Sequence, residues 1–283
     1  MKKSFFLTTL YMISLIILFT TCKKKETQQV DNESQSVVDN AVADQEYMAV
    51  VPTTQQLAIK TKGTGAQGRE LAACDTLTRI SGDTLFGTTG HVDPTYTTNV
   101  GSSNCNLIMP DGKLRSGFLS IRFTNKLRIA GAKMIIKMNT YKASGIQYAC
   151  DSMVVTTVTS TPLYTTFNVK LVNGICSTQA WAIKYSLDRT ITNYFNGNPS
   201  GTEPYTSIFG TASGVNRSGR AFSVNIPSLN PLIKHRNCQY IDKGIMELTP
   251  DGFTTRTVDF GFGSCDDDAT YSVNGNTVAF KLK

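Results

Sequence analysis

The chain has 283 residues, with 28 Lys and Arg against 21 Asp and Glu and a formal net charge of +7 at pH 7. Its basic residues are dispersed rather than clustered with aromatics on one face, which excludes a nucleic-acid-binding stripe. It has only two histidines, His91 and His235, and no Cys-x-x-Cys or His-rich pair, so nothing points to a metal site or a bound cofactor.

The N-terminus reads MKKSFFLTTLYMISLIILFTTC. Lys2 and Lys3 form a basic n-region, Phe5 to Phe19 an apolar stretch, and small Thr20 and Thr21 lead into Cys22, the layout of a cleaved secretory signal over 1–21. A retained anchor is the competing reading, at the short end of the roughly 17–25 residues that a span needs. The segment resembles a bacterial lipoprotein signal, with Phe19 and Thr21 departing from the strict lipobox. The resemblance implies that Cys22 becomes the first mature residue and carries lipid, palmitate included. Several acyl chains, at about 0.8 kcal/mol per buried methylene, anchor a protein firmly in a bilayer. Losing Lys2 and Lys3 takes two from the charge of +7 and leaves +5. Lys23, Lys24 and Lys25 then sit beside anionic headgroups. Lys23 stands where an inner-membrane retention aspartate would be, and KKKE where an acidic surface-export run would begin. The expected place is therefore the outer membrane, with its periplasmic face favoured.

Residues 22–70 read as a lipidated tether. Polar residues 23–36 are too poor in apolar groups to order alone. Val37, Val38, Ala41, Val42 and Tyr47 then fall near helical spacing, predicting one short amphipathic helix over about 34–50. The glycine-rich KTKGTGAQGRE marks a boundary near residue 70.

Residues 71–283 are short runs rich in Val, Ile, Thr, Phe and Tyr, separated by turn residues such as PDGK, SG and NGNPSG. Leu119, Ile121 and Phe123 share one face, as do Phe167, Val169 and Leu171, then Trp181, Ile183 and Tyr185, then Val278, Phe280 and Leu282. The pattern predicts an all-β antiparallel meander forming a curved sheet, a barrel or a sandwich, with the one N-terminal helix.

Six cysteines follow Cys22, and an even set in an exported protein reads as disulfides. Their spacing favours Cys74–Cys105, Cys150–Cys176 and Cys238–Cys265. In each pair a cysteine opens a strand, a second strand runs back, and a Gly-containing turn delivers the next cysteine. This approximate internal repeat suggests a duplicated or triplicated three-strand unit. Each staple closes a loop of about 30 residues and is worth roughly 3–4 kcal/mol in the loop-entropy account.

A second echo joins GKLRSG (Gly112–Gly117) to GVNRSG (Gly214–Gly219). Its plain reading is a turn with positive-φ glycines, in which Arg115 and Arg217 pair with a nearby acid or with carbonyls. Its functional reading is two arginines gripping an anionic group.

Candidate chemistry is sparse. Neither His91, in GHVDP, nor His235, in IKHRN, lies near a Gly-x-Ser-x-Gly elbow, and both read as surface residues. No carboxylate pair stands out for glycoside hydrolysis. The adjacent acids of CDDDA do not alternate as a calcium loop does, so a solvated turn is expected. Tyr141, Tyr148, Tyr164, Tyr185, Tyr194 and Tyr205 with Trp181 read as core before ligand platform.

The elements VVDNAVADQ, DGKLRSG, GTASGVNRSGRAFSVNI, PLIKHRNC and DFGFGSCDDDATYSVNGNTVAFKL together resemble a group of uncharacterised lipoproteins from Bacteroidota-type bacteria. The likeness covers most of residues 37–283 and implies compartment and fold texture, with no activity attached. The Cys150–Cys176 pair is not part of that pattern. The expectation is a non-enzymatic, lipid-anchored envelope protein that binds an envelope protein or glycan ligand. A structural module whose helix docks on a partner, and an envelope hydrolase with a dispersed site, are the alternatives.

Overall fold

The computed structural model describes residues 31, 33–60, 76–99, 113–195 and 203–282. The signal segment, Cys22, the KTKGTGAQGRE linker, Cys74, Cys105 and Gly112 lie outside the described residues.

Helix α1 spans Gln35–Lys60. Strands follow at β1 Thr76–Ser81, β2 Thr95–Asn99, β3 Arg115–Phe123, β4 Lys133–Ala143, β5 Ile146–Ala149 and β6 Ser152–Ser160. The long pair β7 Tyr164–Ser177 and β8 Ala182–Tyr194 comes next, then β9 Tyr205–Val215, β10 Ala221–Ile226 and β11 Leu232–His235. The last four are β12 Lys243–Pro250, β13 Arg256–Phe262, β14 Asp268–Val273 and β15 Asn276–Lys281. All belong to one antiparallel sheet in near-sequential order, a meander. Two long strands are each bridged to a neighbour by two short ones: β5 and β6 lie between β4 and β7, and β10 and β11 between β9 and β12. Of the three architectures expected, the curved single sheet is the one observed.

Alternation sets the two faces. In β7, Thr165, Phe167, Val169 and Leu171 are buried while Tyr164, Thr166, Asn168 and Lys170 are not, so odd positions face inward. Leu119, Ile121, Phe123, Ile183 and Tyr185 are buried as their spacing demands. The inner face closes over α1, whose side chains bond to residues of β4 and β8 and to carbonyls beside Cys150 and Cys176, while the Glu33 carbonyl just before the helix accepts from Arg256 of β13. One helix touching such distant strands requires the sheet to curl around it.

The helix departs from expectation in length, setting and face. It runs to Lys60, past Pro52, and belongs to the same compact unit as the sheet, Glu33–Lys283, rather than to a tether. Val38 is exposed and Ala41 and Val42 are half-buried, but Val37 and Tyr47 are buried as their spacing predicts. Buried with them are Ser36, Asp39, Asn40, Ala43, Glu46, Val50, Val51 and Thr54, so half of the ten are polar or charged. The apolar spacing was secondary because the sheet supplies cations and hydroxyls to meet the helix's acids. The Glu33 carboxylate begins α1 by accepting the Ser36 N–H at 2.9 Å, which satisfies an otherwise orphaned donor.

Candidate functional site

Four acids on or beside α1 meet four arginines, three from strands and Arg217 from the β9–β10 turn, in reverse chain order. Glu33 meets Arg256, Asp39 meets Arg217, Asp44 meets Arg189 and Glu46 meets Arg115. The closest knit is at Glu46, which is fully buried. Arg115 Nε donates to Oε1 at 2.9 Å and Nη2 to Oε2 at 3.0 Å, a two-point fork, and the Tyr141 hydroxyl donates to Oε1 at 2.6 Å. Burial, and then the Glu46 charge, push the Tyr141 phenol well above its ordinary range. Lys113 Nζ adds a second cation at 3.6 Å.

The Arg-Ser-Gly of GKLRSG builds this cluster as the opening of β3, not as the turn expected of it. Thr140 and Tyr141 of β4 together oppose Gly117, so β4 carries a bulge there, with Thr140 at φ 58° and Gly117 at φ 100°. A side chain on Gly117 would collide with the Thr140 carbonyl. Tyr141 is thereby turned inward onto Glu46.

GVNRSG does the corresponding work at Asp39. The Arg217 N–H donates to Oδ2 and its Nε to Oδ1, both at 2.7 Å, while its guanidinium lies 4.2 Å from the Trp181 ring centroid. Neighbouring Asn216 donates to Ser36 Oγ at 3.0 Å. The two readings of the echo thus converge: the anions that Arg115 and Arg217 grip are the helix's own carboxylates. Deeper in, Tyr185 donates to Asp44 at 2.8 Å, and Arg189 donates to the Gly210 carbonyl at 2.7 Å. Arg256 donates to the Glu33 and Thr254 carbonyls.

Buried ion pairs add little net stability over an apolar equivalent, because both partners lose water. What they supply is orientation. Each acid has its own arginine, so α1 fits the sheet in one rotation and one register.

Beside this seam the helix and sheet leave a cavity of about 870 Å³. Phe167, Ile191, Ile208, Leu232 and Met246 line its wall, and Met48 and Ala49 of α1 its roof. Pro52, also in the lining, has no N–H to donate to the Met48 carbonyl.

Of the remaining candidates, His235 lies in the cavity lining and the others fall elsewhere. His91 Nδ1 lies 2.7 Å from Asp83 and Nε2 3.4 Å from Asp93, pinning the β1–β2 loop. Its bonds with Leu85, Val92 and above all His91 hold the Asp83 carboxyl below the usual range, the histidine contributing most. His235 Nδ1 lies 2.9 Å from Asp242. Among the described residues, no serine, threonine or cysteine bonds to either imidazole. The CDDDA acids face a cation of the chain itself: Asp267 and Asp268 meet Lys281 across β14–β15, at 2.6 and 2.7 Å.

The aromatics divide by strand parity. Tyr141, Tyr148 and Tyr185 surround α1 with Tyr47, whereas Tyr164, Tyr194 and Tyr205 stack in register on the outer face and reach His235.

Cys238–Cys265 is bridged as expected and staples the entry to β12 to the turn leaving β13. Cys150 and Cys176 are free thiols, which corrects the expected middle bridge. Register gives the reason. The residue facing Cys176 is Tyr148, and Cys150 lies two positions on. Such a diagonal is about 7–8 Å, beyond the roughly 4.4–6.8 Å that separates the Cα atoms of a disulfide. The Tyr47 hydroxyl donates to the carbonyls of Ala149 and Ile175, the residues just before each cysteine, at 2.7 and 3.1 Å. Burial pushes the Cys150 thiol up to about 11 and the Cys176 thiol to about 12.

Sequence reasoning missed Asp39, Asp44, Glu46 and the cavity residues Asn193, Thr206, Lys234 and Arg236. A signal for the first set was present: Ser36, Asp39, Ala43, Glu46 and Val50 repeat at helical three–four spacing. Comparison with family models, with curated proteins and with solved structures gave no match.

Proposed function

We propose that the protein is a lipid-anchored envelope protein of non-enzymatic type, which holds a small apolar ligand between α1 and the sheet. The observation that carries this is the cavity. Its volume of about 870 Å³ falls within the roughly 300–1,000 Å³ of ordinary ligand sites, and its wall is apolar with a few convergent polar groups. The ion pairs around it hold roof and wall in one register without filling the space. Cys22 is the anchor in this reading, and the periplasmic face of the outer membrane the place of action.

The partner-docking alternative has less support, because the helix face it would use is covered by the protein's own sheet. The hydrolase alternative has less support, because His91 and His235 each face carboxylates and no nucleophile.

The test is mass spectrometry of small molecules released from the full chain purified from producing cells, beside an Ala49→Trp variant that fills the cavity roof. A molecule enriched with the wild type and lost with Ala49→Trp is expected. Equal small-molecule content in both proteins would overturn the reading.

A further inference from the structure

We infer that the β3–β4 hairpin and the rim beside it form a docking surface for an anionic phospholipid bilayer. The inference does not use the cavity, and it holds whether or not Cys22 carries lipid.

Charge is the first observation. Between Lys113 and Cys150 the sequence has eight cations and no acid. Two of them belong to the helix seam, since Lys113 and Arg115 face Glu46. The other six are Arg122, Lys126, Arg128, Lys133, Lys137 and Lys142, and none forms an ion pair among the described residues. Strand parity turns them outward. Leu119, Ile121, Phe123, Met134, Ile136 and Met138 are buried, so Arg122, Lys133 and Lys137 stand on the outer face. Lys142, past the bulge, is exposed as well. Neighbouring β2 and β6 contain no acid. Asp151, the next acid along the chain, accepts from the Asn173 amide at 2.6 Å. The sequence spaces these cations out, but the hairpin gathers all six into one local field.

Apolar side chains stand beside that charge. Ile129 is exposed in the β3–β4 turn, directly after Arg128. The turn is tied to β6, where the Gly131 N–H donates to the Thr157 carbonyl at 2.8 Å and the Thr157 N–H to the Ala132 carbonyl at 2.9 Å. Ile129 therefore sits close to Val158, which is also exposed. Further along the same rim, Leu163 and Phe195 are exposed and joined, the Phe195 N–H donating to the Leu163 carbonyl at 2.9 Å. Tyr164 and Tyr194 follow them, ring centroids 5.8 Å apart. The turns at the opposite ends of these strands, 144–145, 150–151 and 178–181, expose no large apolar side chain. This make-up matches a bilayer surface. Apolar tips enter the acyl boundary, tyrosines suit headgroup depth, and cations meet lipid phosphates. A single-stranded nucleic acid would also meet the cations, but it needs aromatic platforms, and Phe118 is the one exposed aromatic on β3 and β4. A neutral glycan would leave all six cations unmet.

The test is lysine footprinting. The full chain, as purified from producing cells, is acetylated beside vesicles of phosphatidylcholine alone or of phosphatidylcholine mixed with phosphatidylglycerol, and the modified peptides are mapped. With phosphatidylglycerol present, Lys126, Lys133 and Lys137 should each react about fivefold more slowly, which corresponds to about 1 kcal/mol per cation at an anionic surface. Lys184 and Lys243, exposed on β8 and β12, should keep their rates. High salt should erase the difference. Ile129→Gln combined with Leu163→Gln, both at exposed turn positions, should erase it too, with strand circular dichroism unchanged. Equal rates with the two kinds of vesicle would overturn the anionic surface. Slowing that survives the double variant would overturn the bilayer as the occupant and leave a site for a soluble polyanion. Slowing of Lys184 and Lys243 by the same factor would overturn the hairpin as the docking face.

Discussion

Glu46 of α1 and Arg115 of β3, 69 residues apart in the chain, form a two-point carboxylate–guanidinium pair with both partners buried. Neither reaches water, so removing Arg115 leaves the buried Glu46 with only Lys113 at 3.6 Å and the Tyr141 hydroxyl. Arg115→Ala should lower unfolding stability by about 3–5 kcal/mol, the usual cost of orphaning a buried charge. Arg115→Lys keeps the charge but loses the fork and should fall between. Chemical denaturation of the three proteins checks the order. An Arg115→Ala midpoint within error of wild type would show that the pair does not seat the helix.

The repeated Arg-Ser-Gly permits a controlled comparison. Gly117 and Gly219 both have positive φ, at 100° and 84°, but a side chain at 117 meets the Thr140 carbonyl whereas one at 219 meets nothing. Gly219→Ala should cost about 1 kcal/mol, the left-handed penalty alone. Gly117→Ala should cost clearly more and should also disturb Tyr141 on the bulge. Equal losses at the two sites would mean that the bulge relaxes freely.

These two motifs also show what was legible in the sequence. Strand alternation around Leu119–Phe123, Phe167–Leu171 and Ile183–Tyr185 could be read because period two survives wherever one face is buried. The all-β antiparallel meander followed from that, with curved sheet, barrel and sandwich all left open. The setting of α1 could not be read from apolar spacing, since its buried stripe holds Asp39 and Glu46, and their burial makes sense only once Arg217 and Arg115 are placed opposite. Arg115 and Arg217 stand out in the sequence, but the anions they hold lie 69 and 178 residues away, across contacts that only folding creates. The cavity was hidden for a related reason: Asn193, Thr206 and Lys234 form a row only through the register of β8, β9 and β11.

The cysteines separate into kinds. Cys238 and Cys265 should appear joined in a non-reducing peptide map, and their reduction should cost roughly 3–4 kcal/mol for a loop of this size. Cys150 and Cys176, raised to about 11 and about 12 by burial, carry almost no thiolate at neutral pH. Iodoacetamide should therefore leave both unmodified in the native protein and alkylate both in denaturant. A Cys150–Cys176 peptide, or rapid native alkylation, would contradict the arrangement around Tyr47. The Cys74–Cys105 bridge expected from spacing is decided by the same map.

Alkaline pH should unfold the protein steeply. Burial pushes the phenols of Tyr47, Tyr141, Tyr148 and Tyr185 above their ordinary value of 10.0. Further contributions come from Cys176 at Tyr47 and Tyr148, Glu46 at Tyr141 and Asp44 at Tyr185. A raised folded pKa means the stabilisation is complete below about 10 and is lost as pH rises, because the unfolded chain ionises first. Each such phenol contributes a slope of about 1.4 kcal/mol per pH unit. Four of the ten tyrosines that remain once Tyr11 leaves with the signal should therefore give their phenolate absorbance only together with loss of strand circular dichroism. Smooth ionisation of all ten before unfolding would place those rings in water.

The anchor decides which ligands the cavity can meet. If Cys22 carries lipid, the cavity works within tether reach of a bilayer, and Lys23 to Lys25 lie against the headgroups. Cys22→Ser should then abolish incorporation of an acyl tracer and leave the signal uncleaved by the lipoprotein peptidase. The wild type should label and fractionate with the outer membrane. Protease added to intact cells should spare the β domain if it faces the periplasm and digest it if it faces outward. A wild-type chain that takes no acyl tracer and stays soluble in the periplasm would end the lipoprotein reading. The cavity would remain, because every residue that builds it lies between Val37 and Leu282, beyond the reach of the signal and its cysteine.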